Sequence, residues 1–461
     1  MELNAKRVLV VGLGKSGVAA AFFLKDKGAR VTVSDAKTED QLREHIPALL
    51  DRGIVVEAGR HGERTFRDQD LIVVSPGVPY DEPHLQAARA LGVPVIGEVE
   101  LAARFLQGPI VAITGSNGKT TTTSLIGEIF AKSGLKTQVG GNIGKPVIEM
   151  AAGSTPETWN VLEISSFQLE TIETFHPKIA VVLNVTPDHL DRHRTFAGYV
   201  AAKARILENQ AAADFAVLNM DDATCVSLAK TVKAQVRGFS RRGPVRTGAY
   251  IKDGKVLYCD ASGEREVMPL SEIMLKGAHN QENVLAAVCA ATLAGCKPAQ
   301  IATAVREFRA VEHRLEFVAN INGVEYYNDS KATNVDATIK ALESFPGGIH
   351  LILGGKDKGS DYSVLNTLLK ERVKRVYTIG AAAAKIEQQI SPAAQAIHAE
   401  TLETAVRKAA EAAISGDVVL LAPACASFDQ FSSYEQRGRA FKELVNALAA
   451  RKGREVQGGA A

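Results

Sequence analysis

Cysteines are scarce in this sequence, its net charge is close to zero, and it lacks long apolar runs. Its 461 residues include five cysteines and no Cys-x-x-Cys pair, so we expect neither a disulfide framework nor a zinc site and favour a reducing cytosol. The 54 basic and 52 acidic residues leave a formal charge of +2, which argues against nucleic acid or an anionic membrane as a partner. No apolar stretch approaches the roughly 18 residues of a membrane helix, so we expect a soluble, cytoplasmic protein.

Short β-branched runs alternate with helical patterns along most of the chain. Continuous apolar runs of this length are typical of strands buried on both faces of a parallel sheet, as in βαβ folds. The predicted strands are 7–11, 30–34, 71–75, 110–114, 161–165, 179–185, 215–219, 349–353, 376–380 and 418–422. The pattern predicts an α/β fold.

Two β-hairpins interrupt this alternation, and the length suggests three domains. Asp253-Gly254 and Asn322-Gly323 lie between strand-like flanks and are typical hairpin turns. At about 150 residues per domain, a chain of this length predicts about three domains. We place the boundaries near Gly97 and Ala310, which gives domains 1–97, 98–310 and 311–461.

A glycine-rich loop, Gly12-Leu-Gly14-Lys-Ser-Gly17, follows the first predicted strand and precedes a helical pattern. Such glycines allow a tight turn and a close approach of the backbone to a phosphate at a helix N-terminus. Asp35, at the end of the next strand, suits a ribose hydroxyl. Taken alone, the motif fits a nicotinamide or flavin enzyme, another nucleotide, or a plain tight turn.

A second loop follows strand 110–114 and reads Gly115-Ser-Asn-Gly118-Lys119-Thr120. In such loops backbone N–H groups surround the phosphates, the lysine binds the β- and γ-oxygens and the hydroxyl binds Mg²⁺. Ile113 occupies the first glycine position of the standard motif, so this loop is a shorter variant. Its context between a strand and a helix favours binding of a nucleoside triphosphate.

Isolated acids and histidines follow two further strands. Glu163 ends one strand, and His189 follows another in Thr-Pro-Asp188-His189-Leu-Asp. Ligands of α/β sheets bind at the carboxyl ends of the strands, so Glu163 suits Mg²⁺ and His189 suits a second metal site or a proton carrier. The alternative is that Asp188 caps a helix and His189 is a surface residue.

Three polar segments occupy the last third of the chain: Asn328-Asp-Ser-Lys331-Ala-Thr333-Asn, Gly354-Gly-Lys356-Asp-Lys358 and Ala424-Cys-Ala-Ser427-Phe428. The first offers groups for a ribose and a phosphate, or merely caps a helix. The second suits an anion-binding nest. Cys425 in the third has small neighbours and no histidine close in sequence, so packing is the better interpretation than a nucleophile.

Taken in order, these motifs resemble those of the Mur ligases, ATP-dependent enzymes that make peptidoglycan precursors in the cytoplasm. The resemblance runs from about residue 8 to about residue 439 and includes Gly-Gly-Asn142-Ile-Gly, Gly277-Ala-His-Asn-Gln-Glu-Asn283 and Glu312-His-Arg314-Leu-Glu. The short first domain and the segment 422–438 are most similar to the D-glutamate-adding members. The Asp-Asn-Pro-Arg motif of the diaminopimelate-adding members is absent.

The resemblance implies three domains: a Rossmann-like N-terminal domain that binds the UDP end of the substrate, a central ATP-binding domain with a parallel sheet, and a Rossmann-like C-terminal domain that binds D-glutamate and part of ATP. It implies that ATP activates UDP-N-acetylmuramoyl-L-alanine as an acyl phosphate, which D-glutamate attacks through a tetrahedral intermediate. The implied cofactors are ATP, two Mg²⁺ ions and a lysine carbamylated by CO₂, and we expect a monomer.

The resemblance also assigns roles to single residues. The implied catalytic residues are Lys119, Glu163, His189, Lys203 and Lys331, and the implied metal ligands are Thr120, Glu163, His189 and Lys203 as its carbamate. The implied ATP contacts are Gly115, Ser116, Asn117, Gly118, Lys119, Thr120, Thr121, Asn283, Arg314 and Asp329. Without the resemblance, Lys203 reads as a solvated lysine on a helix.

The remaining implied contacts concern the other two substrates. Those to the UDP substrate are Gly14, Lys15, Ser16, Asp35, Ala36, Gly77, Asn142 and Ser165. Those to D-glutamate are Thr333, Lys358, Ser427 and Phe428, the last two through backbone N–H groups. Lys356, two residues before Lys358, is a second candidate for the same role.

Two other classes of protein stay open on the sequence alone. The first glycine motif allows a nicotinamide-dependent oxidoreductase with an accessory ATPase domain, and the second allows a nucleotide-gated binding module. A dimetal site beside the phosphate loop favours the ligase, because a mere sensor has no evident need for one.

Overall fold

The computed structural model describes residues 1–275, 277–309 and 311–458. It is an α/β structure built on three sheets, which confirms the predicted fold class. Contacts divide the chain into two compact units: Met1–Glu272 with Glu282–Arg306, and Ile273–Gln281 with the chain from Glu307 onward. The first unit contains two of the sheets. The boundary predicted near Ala310 lies outside the described residues.

The first sheet has five parallel strands in the order β3-β2-β1-β4-β5. Because the chain leaves the central β1 first to one side and later to the other, a switch point lies at the carboxyl end of β1, where ligands of such sheets bind. The strands are β1 (Arg7–Val11), β2 (Arg30–Asp35), β3 (Val55–Ala58), β4 (Leu71–Val74) and β5 (Val95–Gly97). The helices are α1 (Lys15–Asp26), α2 (Glu39–Leu42), α3 (Ile46–Asp51), α4 (Glu63–Arg67), α5 (Pro83–Ala90) and α6 (Glu98–Ala103).

The second sheet has nine strands in the order β14-β13-β12-β11-β10-β9-β6-β8-β7, parallel from β12 to β7. Its strands are β6 (Ile110–Thr114), β7 (Thr137–Gly141), β8 (Trp159–Glu163), β9 (Ile179–Val182), β10 (Phe215–Asn219), β11 (Gln235–Ser240), β12 (Gly248–Lys252), β13 (Lys255–Asp260) and β14 (Gly263–Pro269). The helices that follow are α7 (Lys119–Lys132), α8 (Val147–Met150), α9 (Ser166–Leu169), α10 (Leu190–His193), α11 (Phe196–Ala204), α12 (Ala223–Leu228), α13 (Ala278–Leu293) and α14 (Pro298–Glu307).

The third sheet has six strands in the order β15-β16-β20-β17-β18-β19, and only β15 runs antiparallel to its neighbour. The strands are β15 (Glu316–Ile321), β16 (Val324–Asn328), β17 (Ile349–Gly354), β18 (Val373–Ile379), β19 (Ala396–Glu400) and β20 (Val418–Leu421). The helices are α15 (Val335–Glu343), α16 (Asn366–Arg372), α17 (Ala383–Ile390), α18 (Leu402–Ala412) and α19 (Tyr434–Gly458). Separate apolar clusters cover its two faces.

Both predicted hairpins form. Asp253-Gly254 joins β12 to β13, Asn322-Gly323 joins β15 to β16, and all four turn residues have positive φ. Two-residue turns of this kind match the twist of the strands that they connect. The predicted strand 161–165 ends earlier, at Glu163, because Ser165 begins a capping box that starts α9.

Candidate active site

The phosphate loop lies between β6 and α7, as predicted. Gly118 has a φ of 86° at the N-cap of α7, and a Cβ there would lie 2.2 Å from Asn283 Oδ1. Lys119 Nζ donates to the carbonyl oxygens of Gly115 at 2.8 Å and Ser116 at 2.9 Å. The lysine therefore folds over its own loop, and Asn283 lies against the same loop.

A buried carboxylate lies beside this loop. Glu163 Oε2 accepts from Thr120 Oγ1 at 2.8 Å, and Glu163 Oε1 accepts from Asn142 Nδ2 at 2.9 Å. Glu163 ends β8, the strand next to β6, so the parallel order of the sheet brings its side chain to the start of α7. The structure thus joins residues that the sequence places in three separate motifs. Ser165, by contrast, uses its hydroxyl to cap α9.

Lys203 is buried next to the phosphate loop. Its side chain projects from α11, the residue is 1% exposed, and Nζ donates to the Gly115 carbonyl at 2.8 Å. Burial, reinforced by the charge of Lys119, holds the pKa of Lys203 well below its ordinary value, although Asp188 and Glu163 oppose the shift. Lys119 and Lys203 therefore converge on one carbonyl oxygen, and the reading of Lys203 as a solvated lysine is wrong.

His189 follows β9 and lies at the start of α10. It occupies the N-cap position with a φ of 53°, and its backbone N–H donates to Asp188 Oδ1 at 2.9 Å. Asp188 therefore does not occupy the N-cap position that the alternative interpretation gave it. The His189 side chain is about one-third exposed and contacts the Phe167 ring.

The first glycine loop lies at the switch point of the first sheet. Asp35 Oδ2 accepts from the Leu13 N–H at 2.6 Å and Oδ1 accepts from the Lys37 N–H at 2.8 Å, so the carboxylate fixes the loop that was expected to bind a nucleotide. Lys15 Nζ donates to the Gly144 carbonyl of the second sheet's Gly-Gly-Asn-Ile-Gly segment. The other predicted UDP contacts, Gly14, Ser16, Ala36 and Gly77, surround the same edge and are exposed or half-buried.

In the second unit, Arg314 lies in a turn held by several side chains. Its neighbours His313 and Leu315 have φ values of 66° and 41°, a region that non-glycine residues rarely adopt. Glu316 Oε2 accepts from the His313 N–H at 2.9 Å, and Asp329 Oδ1 accepts from the Leu315 N–H at 3.3 Å. Burial raises the pKa of Asp329 to about 6, with Arg314 acting against the rise.

The predicted D-glutamate residues lie on strand-end loops of the third sheet. The Lys331 and Thr333 loop follows β16, the Lys356 and Lys358 loop follows β17, and Ser427 and Phe428 follow β20. Both lysines of the middle loop are exposed, so the choice between them stays a prediction. Ser427 is buried and the Phe428 side chain is exposed. Burial raises the pKa of the Cys425 thiol to about 11, which agrees with a packing role.

A cavity of about 190 Å³ in the second unit was not predicted. Its lining includes Asn280, Arg314, Leu275, Phe308 and Tyr327. Asn280 and Arg314 belong to two of the motifs described above, and this was the one signal of the cavity in the sequence. The apolar lining residues follow no pattern that would indicate a cavity. Two larger cavities, of about 510 and 330 Å³, lie at the amino ends of strands and contain none of the predicted site residues.

Sequence profiles of three domains match the chain in order. The profile described as the Mur ligase MurD-like N-terminal domain matches residues 6–97, the Mur ligase middle domain matches 113–291, and the Mur ligase glutamate ligase domain matches 313–425. A protein of Koribacter versatilis is 65% identical over 97% of this chain and 99% of its own length. The chain belongs to the Mur ligase family.

Relatives and solved structures extend this comparison. The Koribacter protein and one from Acidobacterium capsulatum, 61% identical over 97% of each chain, both bear the name UDP-N-acetylmuramoylalanine–D-glutamate ligase. A pseudomurein peptide ligase type C from Methanothermus fervidus has a TM-score of 0.61 at 21% identity, covering 96% of this Mur ligase and 100% of that chain. A MurF ligase from Thermotoga maritima in complex with ADP has a TM-score of 0.59 at 18% identity, covering 97% of each chain. At these identities the solved structures establish the fold of this Mur ligase.

Among the described helices of this Mur ligase, none has the length and apolar character to cross a membrane.

Proposed function

We propose that this Mur ligase adds D-glutamate to UDP-N-acetylmuramoyl-L-alanine with release of ADP and phosphate, a cytoplasmic step of peptidoglycan precursor synthesis. The observation that carries the proposal is the convergence of Lys119 and Lys203 on the Gly115 carbonyl, beside the Thr120–Glu163 pair. The names of the relatives at 65% and 61% identity support D-glutamate as the amino acid. No finding supports the oxidoreductase alternative.

The first step of the reaction brings two anions together, the alanyl carboxylate and the γ-phosphate of ATP. A carboxylate oxygen of the alanyl group attacks the γ-phosphorus of ATP, ADP leaves, and an acyl phosphate results. The amine of D-glutamate then adds to the acyl carbon, and the tetrahedral intermediate expels phosphate as the amide forms. Because the first nucleophile and the phosphate repel each other, catalysis of this kind depends on positioning and on positive charge. Lys119 supplies such a charge at the phosphate loop, and Lys331 another in the second unit.

The donor atoms beside the phosphate loop suit Mg²⁺. Thr120 Oγ1 and the Glu163 carboxylate are hard oxygen donors, they lie 2.8 Å apart, and both residues are buried. We assign them to one ion, and His189 with Lys203 as its carbamate to the second. Bound Mg²⁺ would offset the repulsion between the two reacting anions.

Burial prepares Lys203 for carbamylation. Only a neutral amine attacks CO₂, and burial, which lowers the pKa of Lys203, favours the neutral form. The new N–C bond forms with loss of one proton and converts a cationic side chain into an anionic, carboxylate-like one. Sequestration in α11, behind the phosphate loop, protects this group from bulk water.

The remaining predicted residues are assigned to three substrate regions. We propose that Gly14, Lys15, Ser16, Asp35, Ala36 and Gly77 bind the UDP group, and that Asn142 and Ser165 bind near the muramoyl-alanine end. We propose that ATP contacts residues 115–121 together with Asn283, Arg314 and Asp329. We propose that D-glutamate contacts Thr333, Lys358, Ser427 and Phe428. In this proposal domain 1–97 binds the UDP group, domain 98–310 binds most of ATP and the muramoyl-alanine end, and domain 311–461 binds D-glutamate and part of ATP. We propose that the protein is a monomer.

A phosphate-release assay tests the proposal. Purified protein receives ATP, Mg²⁺ and UDP-N-acetylmuramoyl-L-alanine, and the amino acid is varied among D-glutamate, L-glutamate, L-alanine and diaminopimelate. We expect phosphate only when the UDP substrate and D-glutamate are both present, and none from a Lys119→Ala variant. Equal release with L-alanine or diaminopimelate would assign the protein to another branch of the family, and release without any amino acid would favour a simple ATPase.

A further inference from the structure

Arg437 is a buried cation in the first turns of α19. The residue is 1% exposed, and among the described residues no carboxylate lies within ion-pair distance of its guanidinium. Its hydrogen bonds go to four neutral acceptors: Ser330 Oγ at 3.0 Å, Ser330 O at 2.9 Å, Cys425 O at 3.1 Å and Ala426 O at 3.4 Å. Neither the reaction chemistry nor the predicted ligand contacts give this residue a role.

A buried charge with only neutral partners is costly to the fold. Desolvation disfavours the charged form and lowers the pKa of Arg437 to about 10, although Cys425 and Asp429 oppose that shift. A guanidinium nevertheless stays charged at neutral pH. An anionic ligand bound at the adjacent loops would add to the negative charge that Asp429 supplies.

The four acceptors connect Arg437 to the loops that carry the predicted D-glutamate contacts. Ser330 directly precedes Lys331 in the loop after β16, and Ala426 directly precedes Ser427 in the loop after β20. The loop after β17 joins them, because Lys356 and Ala426 exchange backbone hydrogen bonds of 2.8 and 3.1 Å. A Cβ at Gly355 would lie 3.1 Å from Arg437 Nη1, so this loop approaches the guanidinium closely.

We propose that Arg437 is a positioning residue for D-glutamate. Its planar fork fixes the spacing between the Lys331 loop and the Ser427 loop, and its charge favours a dicarboxylate amino acid over a neutral one at these loops. The inference rests on the proposed function, since it takes D-glutamate to bind there.

The test compares Arg437→Gln and Arg437→Lys with an Arg372→Gln control. Arg372 also donates to backbone carbonyls, those of Leu342, Glu343 and Phe345, but in a region away from the three loops. The measurements are the KM values for D-glutamate, ATP and the UDP substrate, kcat, and thermal melting of each protein. We expect Arg437→Gln to raise the D-glutamate KM about tenfold or more, because hydrogen bonds that involve a charged group are lost, while the other two KM values change little.

Arg437→Lys keeps the charge without the fork, so its D-glutamate KM should rise by about threefold. If Arg437→Gln fails to fold, this milder variant carries the comparison. An unchanged D-glutamate KM, or an equal rise of all three KM values, would overturn the inference and leave Arg437 a structural residue. A wild-type protein that releases no phosphate with D-glutamate would instead refute the proposed function.

Discussion

Lys203 is the residue whose role depends most on its surroundings. As its carbamate it would bind metal, so we expect Lys203→Ala to lower turnover by about 100-fold, the upper end of the range for disrupting the environment of a metal site. Short carboxylates such as acetate should restore part of the activity by supplying the missing anion. Lys132→Ala, on the exposed surface of α7, is the control: Lys132 forms an ion pair with Glu128 and has no assigned catalytic role. Near-normal turnover of Lys203→Ala without added carboxylate would refute the carbamate.

Glu98 is a buried acid whose ionisation should make stability depend on pH. Burial raises its pKa to about 7, with the Ile148 N–H and Glu149 acting in opposite directions. Between about pH 4.5 and 7 the unfolded chain loses this proton while the folded protein keeps it, so the free energy of unfolding falls as pH rises, by about 3 kcal/mol in all. Above pH 7 the loss is complete.

Glu98→Gln cannot ionise and should lack this loss. Urea unfolding of wild type and variant at pH 5 and pH 8 measures the difference, and we expect the variant to gain stability relative to wild type at pH 8 only. The same pH dependence in both proteins would show that Glu98 ionises normally. Glu100, two residues further along α6, provides a contrast. Burial acts to raise the pKa of Glu100 too, but hydrogen bonds from Thr174, the backbone and Arg104 outweigh burial, so the pKa of Glu100 is lowered.

At the scale of elements, the two glycines that flank α7, Gly118 and Gly134, differ in how much space surrounds them. Gly118 and Gly134 both have φ near 85°, but a Cβ at Gly118 would meet Asn283, whereas one at Gly134 would meet nothing within 4 Å. Both alanine variants should lose about 1 kcal/mol or more of stability from backbone strain. Only Gly118→Ala should raise the KM for ATP, by about tenfold or more, because the loop must also shift. A similar ATP KM in the two variants would mean that the loop tolerates a side chain.

The elements that were predicted correctly each have a local signal in the sequence. Interior strands such as β1, β6 and β20 carry unbroken apolar runs because both faces are covered, and the Asp253-Gly254 and Asn322-Gly323 turns need positive φ. The missed strands β3, β5, β7, β14 and β19 all form sheet edges. Edge strands are short or half-exposed, so their sequences resemble loops. The missed β11 is interior but contains a glycine and an arginine, which break its apolar run.

The site residues that belong to a motif at a strand end could be predicted from the sequence. The residues whose role depends on burial in the folded chain were harder to predict. The Thr120–Glu163 contact follows from two adjacent parallel strands, whereas the burial of Lys203 depends on how α11 packs, which no local pattern reports. The roles of Arg437 and the apolar cavity around Arg314 are likewise set by tertiary packing.

For the whole molecule, near-neutral charge and anionic ligands are compatible. The chain carries a formal charge of +2, yet each proposed substrate is an anion. The cations that would meet these anions lie at the carboxyl ends of strands: Lys15 after β1, Lys119 after β6, Lys331 after β16 and Lys358 after β17. Local charge at strand ends can bind small anions although the net charge of the chain is close to zero.

The central claim, that the chain is a ligase acting through an acyl phosphate, is tested most directly by following oxygen. UDP-N-acetylmuramoyl-L-alanine labelled with ¹⁸O in its carboxylate is converted with ATP, Mg²⁺ and D-glutamate, and the released phosphate is analysed by mass spectrometry. The carboxylate oxygen that attacks the γ-phosphorus must leave with it, so each phosphate should contain one ¹⁸O. Phosphate without label, released at the rate of amide formation, would contradict the acyl phosphate and with it this account of the site.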